Sequence, residues 1–160
     1  MNTMTASRAW HLRRPALQAA VDAGSRCNGL DPDLFFRGDG EQHITWQARR
    51  TEAVRVCATC PARAACRELA LRDADGDAQA DDRVRGGLTG PELADTRDRQ
   101  EQRLAAASAT DRDQEWATLV ALTKEMRTKA VRSPRVRELA EQARTIRTAR
   151  RARAGWSTAA

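Results

Sequence analysis

Apolar positions along this chain fall at helical spacings among arginines, aspartates and alanines, and they predict an all-α protein of short helices. A leader, residues 1–25, holds Trp10 and a short helix over Ala16–Ala23. A turn-rich stretch, Cys27-Asn28-Gly29-Leu30-Asp31-Pro32-Asp33, then runs into Leu34-Phe35-Phe36. Trp46, Ala53, Val54 and Val56 give a weak apolar face to a helix expected from Thr45 to Val56. Pro61, favoured at a first helical position, predicts a second helix to about Leu71 with Ala62, Ala65, Leu69 and Ala70 facing inward.

Beyond the acidic, aperiodic connection Asp73–Asp82, the paired glycines of Val84-Arg85-Gly86-Gly87-Leu88 permit positive φ and predict a tight turn. Thr89, with Pro91 and Glu92 after it, is a capping-box helix start. Asp95–Asp113 reads as a solvated helix or linker. Trp116, Leu119, Val120, Thr123 and Met126 then recur at helical spacing, and Ser133-Pro134 breaks the pattern before a last helix. There Val136, Leu139, Ala143 and Ile146 share one face while Arg137, Arg144, Arg147 and Arg151 share the other.

Composition sharpens this picture. In 160 residues there are two Phe, four Trp and no Tyr, so much of the apolar fraction is alanine and a large conventional core is not expected. Small domains so provisioned commonly recruit a metal or disulfides. The four cysteines supply the means: Cys27, then 29 residues on Cys57-x-x-Cys60, and five residues after that Cys66. With Cys57 and Cys60 in the turn between two helices and Cys66 within the second, three ligands fold into one pocket and Cys27 arrives from a distant loop.

Three chemistries use such residues. Structural zinc takes four thiolates, usually as two close pairs, and a lone Cys27 with a helical Cys66 matches that pattern poorly. A thioredoxin-like dithiol needs only Cys57 and Cys60 and lacks its βαβ context here. A 4Fe-4S cluster accepts irregular spacing with one remote ligand. The bland alternative is that some of the four are buried small hydrophobes.

Other patterns carry less. Asp73-x-Asp75-x-Asp77 opens like a calcium loop but fails at Ala78 and Val84, and a solvated acidic loop is expected instead. His11 and His43 have no partner in view, and neither a nucleophile elbow nor a phosphate-binding glycine loop is present. The N-terminal stretch is broken by His11, Arg13, Arg14 and Pro15 before any secretory apolar run forms, and no window approaches a membrane span, so a cytoplasmic, non-membrane protein is expected.

Charge is localised. Eight arginines (132, 135, 137, 144, 147, 150, 151 and 153) against Glu138 and Glu141 concentrate between Val131 and Arg153 an excess equal to the net +6 of the whole chain. Such a segment points to an anionic partner, and DNA phosphates are the expected one. Arg26, Arg55, Arg63 and Arg67 also lie within three residues of cysteines, where positive charge suits an anionic iron-sulfur centre.

The ordered set Cys27, Asp33-Leu34-Phe35-Phe36, Cys57-Ala58-Thr59-Cys60-Pro61-Ala62-Arg63-Ala64-Ala65-Cys66 and Val84-Arg85-Gly86-Gly87-Leu88-Thr89 resembles the WhiB-like family of actinobacterial iron-sulfur transcription factors. The resemblance covers about Arg26 to Leu93. It implies a 4Fe-4S cluster on Cys27, Cys57, Cys60 and Cys66 in a small helical domain, sensitivity to oxygen or nitric oxide, and action on transcription through DNA and the principal sigma factor. The family turn usually reads Gly-(Val or Ile)-Trp-Gly-Gly; here Arg83 and Arg85 replace the first glycine and the tryptophan, which weakens the sigma-factor implication more than the cluster.

The resulting expectation is a non-enzymatic, redox- or nitric-oxide-responsive regulator. Its parts are a leader (1–25), a cluster domain (26–95), a polar linker or helix (96–133) and a basic C-terminal helix and tail (134–160). Arg137, Arg144, Arg147 and Arg151 are expected at DNA, and Phe35, Phe36, Gly86 and Gly87 at a protein partner. The alternatives are an apo-form protein disulfide reductase using Cys57 and Cys60, and a four-cysteine zinc adaptor.

Overall fold

A computed structural model describes residues 3–129 and 133–153. Arg132 and the tail beyond Arg153 lie outside the described residues, as do the first two residues of the leader. The chain divides into two compact units, one running to Asp111 and one starting at Arg112.

The first unit is helical, as the apolar spacing predicts. Its elements are α1 (Ala6–His11), α2 (Arg14–Gly24), a 3-10 turn (Pro32–Phe35), α3 (His43–Ala58), α4 (Arg63–Arg72), α5 (Gly90–Arg99) and α6 (Glu101–Asp111). Between α4 and α5 two strands of two residues each, β1 (Val84–Arg85) and β2 (Leu88–Thr89), pair antiparallel with Val84 opposite Thr89 and Arg85 opposite Leu88. The glycine turn is therefore a minimal hairpin. Gly86 and Gly87 take φ of 60° and 75°, the left-handed conformation that both central residues of a tight hairpin turn require. The Thr89–Glu92 capping box forms as expected and starts α5.

Helix α4 is the hub, packing against α1, α2, α5, α6 and β1. Its Ala65 and Leu69 meet Ala9 of α1 and Leu17 of α2, while Ala70 and Leu71 on another side meet Leu93 and Leu104. A third cluster joins Phe35, Trp46, Ala53 and Val84, so the aromatic segment, α3 and the hairpin close on one another. Each fully buried leucine contributes about 1.5–3 kcal/mol, and there are few of them. The leader is part of this packing: Ala9 and Leu17 are fully buried.

Charge supplements the thin core. Glu68, 2% exposed, accepts from Arg72 Nε at 2.8 Å and from Arg103 NH1 and NH2 at 2.8 and 3.0 Å. Arg72 in turn donates to Asp111 and to the carbonyls of Leu12 and Trp10, all at 3.0–3.2 Å. One buried carboxylate and one buried guanidinium thus tie α1, α4 and α6 together. This is the arrangement that satisfies buried charges, because every polar edge finds a partner.

Two predicted helix starts shift. The helix after Cys60 begins at Arg63 rather than Pro61, because Cys60, Pro61 and Ala62 are consumed in a turn closed by Arg63 N–H on Cys60 O at 3.2 Å. The preceding helix is longer than expected, from His43 through Ala58.

The second unit is two helices, α7 (Gln114–Arg127) and α8 (Pro134–Arg153). Leu119 and Leu122 pack on Leu139 and Ala143, with Met126 and Ile146 beside them. Arg150 of α8 pairs with Asp113 at 2.6 Å ahead of α7, and Arg135 with Glu125 at 3.1 Å, so the helices run antiparallel. Trp116 and Val120, which recur with Leu119 at helical spacing, stay 41% and 51% exposed because α8 covers only the Leu119 and Leu122 side. Among the described residues no helix is long and apolar enough to cross a membrane.

Candidate metal centre

Local sequence places the four thiols. Cys57 lies in the last turn of α3, and two consecutive turns follow: Cys60 N–H donates to Cys57 O at 3.1 Å and Arg63 N–H to Cys60 O at 3.2 Å. These turns reverse the chain into α4, whose first turn carries Cys66. The remote ligand comes with α2. That helix is pinned to α4 by Leu17 on Leu69 and Ala65, and the chain leaving it brings Arg26 N–H to 3.5 Å from Cys60 Sγ. Cys27, the next residue, is exposed; the other three thiols are partly buried, and all four are free.

The hairpin closes the other side. Gly86 lies so close to α4 that a Cβ there would sit 2.5 Å from Arg67 Cα, and one on Gly87 would sit 3.3 Å from Cys57 Cβ. Only glycine permits this approach. It brings the Gly87 backbone N–H to Cys57 and the Gly86 N–H to Cys66, and Arg67 Nε fixes the turn by donating to Gly86 O at 3.2 Å.

Electrostatics show that the thiols share one environment. Burial, helped by the nearby Cys66, Cys27 and Cys60, pushes Cys57 up to about 11 against the downward pull of the Gly87 N–H. Cys66 is also raised by burial, against which the Arg85 guanidinium and the Gly86 N–H pull it down. Buried sulfurs met by N–H donors become thiolates readily only when a metal charge replaces the proton. Among the described residues no three His, Cys, Asp or Glu side chains draw together tightly enough to hold a single metal ion. Four thiolates can hold a single zinc with sulfur at about 2.3 Å or a larger metal-sulfur group with thiolates at its corners. The donor set, the N–H cradle and the adjacent cations fit such a group.

The acidic loop is not solvated as expected. Asp73 pairs with Arg14, and with Arg85 at 3.2 Å; Asp75 pairs with Arg85, and with Arg83 at 3.6 Å. Arginines from α2 and the hairpin reach it because the chain after α4 folds back over that helix. A motif-based reading of Asp73-x-Asp75 passes over this pairing, because Arg83 and Arg85 reach the two carboxylates only once the hairpin has folded onto α4. Of the other arginines near cysteines, Arg67 and Arg63 meet the hairpin, whereas Arg55 points out and pairs with Glu52 at 3.4 Å.

The structure separates the two phenylalanines. Phe35 is buried with Trp46 and Val84, while Phe36 is 50% exposed and its backbone bridges Arg83 just before β1. Gly86 and Gly87 face the sulfurs and α4. In the second unit Arg137, Arg144, Arg147 and Arg151 are exposed and, among the described residues, form no ion pair. Arg135, Arg150 and Arg153 are paired with Glu125, Glu138, Asp113 and Glu115.

Residues 22–101 match the family model described as transcription factor WhiB. The chain is 40% identical over 86 residues to the transcriptional regulator WhiD of Streptomyces coelicolor, an alignment covering 52% of this chain and 70% of that protein. It is also 40% identical over 45 residues to the redox-responsive transcriptional regulator WhiB3 of Mycolicibacterium smegmatis, covering 28% of this chain and 47% of that protein. No solved structure matches.

Proposed function

Because the chain belongs to the WhiB family of transcription factors and is a transcriptional regulator, we propose that its regulatory centre is a 4Fe-4S cluster held by Cys27, Cys57, Cys60 and Cys66. The observation that carries this reading is the convergence of four free thiols beneath the glycine hairpin, inside the family-matched stretch. Such a cluster, when bound, supplies one-electron chemistry and a target for oxygen or nitric oxide. The residues around it set access and charge. Gly86 and Gly87 donate N–H groups to sulfur, and Arg67 anchors the turn. Cys27 is exposed and Cys60 lines a cleft with Trp10, Arg63 and Arg67, which gives small oxidants a way in. The similarity to a redox-responsive relative agrees with this use.

Output passes through two surfaces in this reading. The unpaired arginines Arg137, Arg144, Arg147 and Arg151 contact DNA phosphates. Phe36, half-exposed beside the hairpin, is the anchor for a protein partner, with the principal sigma factor the family-based candidate. Arg85 in the family's tryptophan position weakens that contact, so Arg85→Trp strengthens binding to the sigma factor's C-terminal domain, measured by titration calorimetry. The site of action is the cytoplasm, where the transcription machinery is.

A disulfide reductase needs a cysteine with a lowered pKa, and the burial that pushes Cys57 up to about 11 acts against that role. The deciding experiment is purification without oxygen followed by an absorption spectrum with iron and sulfide analysis. Four irons and four sulfides per chain are expected; stoichiometric zinc without sulfide overturns the reading.

A further inference from the structure

The hairpin brings a second kind of group to the sulfurs besides its backbone N–H donors. Arg85 projects from β1, its neighbour Gly86 lies against the backbone of Arg67 next to Cys66, and the Arg85 guanidinium pulls the Cys66 thiol down from where burial alone would put it. It is held from behind. Asp75 pairs with it directly, and Asp73 Oδ2 lies 3.2 Å from its NH1. Both carboxylates are themselves fixed. Asp73 and Asp75 donate their backbone N–H groups to Leu69 and Ala70 at the end of α4, at 2.8 and 2.9 Å, and Arg97 donates to the Asp75 carbonyl at 2.9 Å.

The balance of charge in this clamp is informative. Asp73 is shared with Arg14, and Asp75 with Arg83, which itself pairs more closely with Asp82 at 2.9 Å, so three guanidiniums meet three carboxylates and the network is neutral overall, with direction set by which group lies nearest the sulfur. Of the three, Arg85 is the one that faces sulfur. It is only a third exposed in its side chain, so solvent screens it less than the surface arginines of the chain.

We propose that Arg85 is a fixed positive charge, clamped by Asp73 and Asp75 against Cys66, that raises the reduction potential of the four-cysteine centre. This rests on the iron-sulfur reading above. A cation beside a ligating sulfur stabilises the more electron-rich state of the centre it serves. Arg85 is thus a positioning residue: it ligates nothing, and it acts through the Cys66 sulfur. The change it governs is the gain of one electron from an external low-potential donor, with no bond formed or broken.

The test compares anaerobically purified wild type, Arg85→Gln and Arg85→Lys by mediated electrochemical titration, with Arg55→Gln as the control for an exposed arginine beside Cys57. Iron and sulfide contents are measured on every sample. At the wild-type midpoint, Arg85→Gln is expected to lower the reduced-to-oxidised ratio at least about threefold, a shift of roughly 30 mV at 59 mV per tenfold change. Arg85→Lys is expected to recover most of that shift, and Arg55→Gln to leave the midpoint alone. A fully loaded Arg85→Gln protein with an unchanged midpoint overturns the proposal. If Arg85→Gln does not retain iron, Arg85→Lys decides: retention there shows that the charge is what the site needs, and loss in both shows a packing role and overturns it. Wild type without iron or sulfide removes the underlying reading itself, an outcome distinct from a loaded protein that ignores the substitution.

Discussion

The two units of this chain are both helical and are held together by opposite means. The first encloses its charges: Glu68 and Arg72 are buried in each other's company, Arg103 closes over Glu68, and the clamp around Arg85 is only partly solvated. The second encloses four apolar side chains and keeps its charges off that core, three of the seven arginines of α8 paired with neighbouring acids and four left over. A region that holds sulfur ligands in fixed positions, the role proposed for the first unit, needs directional bonds, and buried ion pairs supply them at the risk of a large loss when one partner goes. A region that meets a polyanion needs only to present its charge.

The largest expected effect breaks the comparison at its base. Removing the metal centre, by anaerobic chelation or by Cys57→Ala, takes away binding energy that the thin core of the first unit cannot replace. Its thermal midpoint is expected to fall by well over about 10 °C, since each 1 kcal/mol is worth roughly 4–8 °C in a domain of this size. Circular dichroism during a thermal ramp reads it, and an unchanged midpoint would show that the apolar clusters suffice. Next in size is Glu68→Ala, which takes the nearer carboxylate from Arg72, 1% exposed, leaving it Asp111 alone, and takes its partner from Arg103 as well. About 3–5 kcal/mol of stability is expected to go in urea unfolding. The matching change in the second unit, Glu115→Ala at a 43%-exposed residue, is expected to cost under about 1 kcal/mol.

What was legible in the sequence follows the same division. Most helices of both units could be read because Ala62, Ala65 and Leu69, and Leu139, Ala143 and Ile146, recur at helical spacing, and Gly86-Gly87 and the Thr89–Glu92 box announce their own geometry, whereas the short α1 (Ala6–His11) carried no such signal. The cysteines suggested a shared centre by type and spacing, and the fold brings Cys27, Cys60 and Cys66 within electrostatic reach of Cys57. The ion-pair scaffold could not be read, because Arg14, Asp73, Asp75 and Arg85 meet only after α2 and the hairpin fold onto α4, and a charge in sequence does not say which side it will face. Phe35 and Phe36 show the limit at its shortest range: adjacent residues of one type, one buried and one exposed by the path of the chain through a 3-10 turn.

A smaller effect sharpens the role of the hairpin. Gly86→Ala forces a left-handed residue to carry a Cβ that would lie 2.5 Å from Arg67 Cα. A destabilisation of about 1–3 kcal/mol is expected, with slower iron uptake because the N–H donors move off the sulfurs. Gly87→Ala, facing Cys57 Cβ at 3.3 Å, has a little more room for its neighbour to give and should cost less. Equal stability of Gly86→Ala and wild type in urea would mean that the turn is not pressed onto α4 as described.

The smallest effect on stability is expected in the second unit, and there the comparison is tested through binding. Arg137, Arg144, Arg147 and Arg151 follow one another at steps of seven, three and four residues, which keeps them on one side of α8 opposite Leu139 and Ala143. If all four neutralise phosphates, the logarithm of DNA affinity falls against the logarithm of salt with a slope of roughly −3.6, and replacing any one with alanine reduces that slope by about 0.9. Arg150 is a different case, because Asp113 already occupies its guanidinium at 2.6 Å and would have to be displaced before a phosphate could bind. Arg150→Ala is therefore expected to change the slope by much less than Arg144→Ala, although both remove the same formal charge. Fluorescence anisotropy on a promoter duplex at several salt concentrations reads both slopes. Equal losses would mean that α8 acts through its total charge and not through its unpaired face. A chain truncated after Ser133 that keeps the full slope would move DNA contact to the first unit.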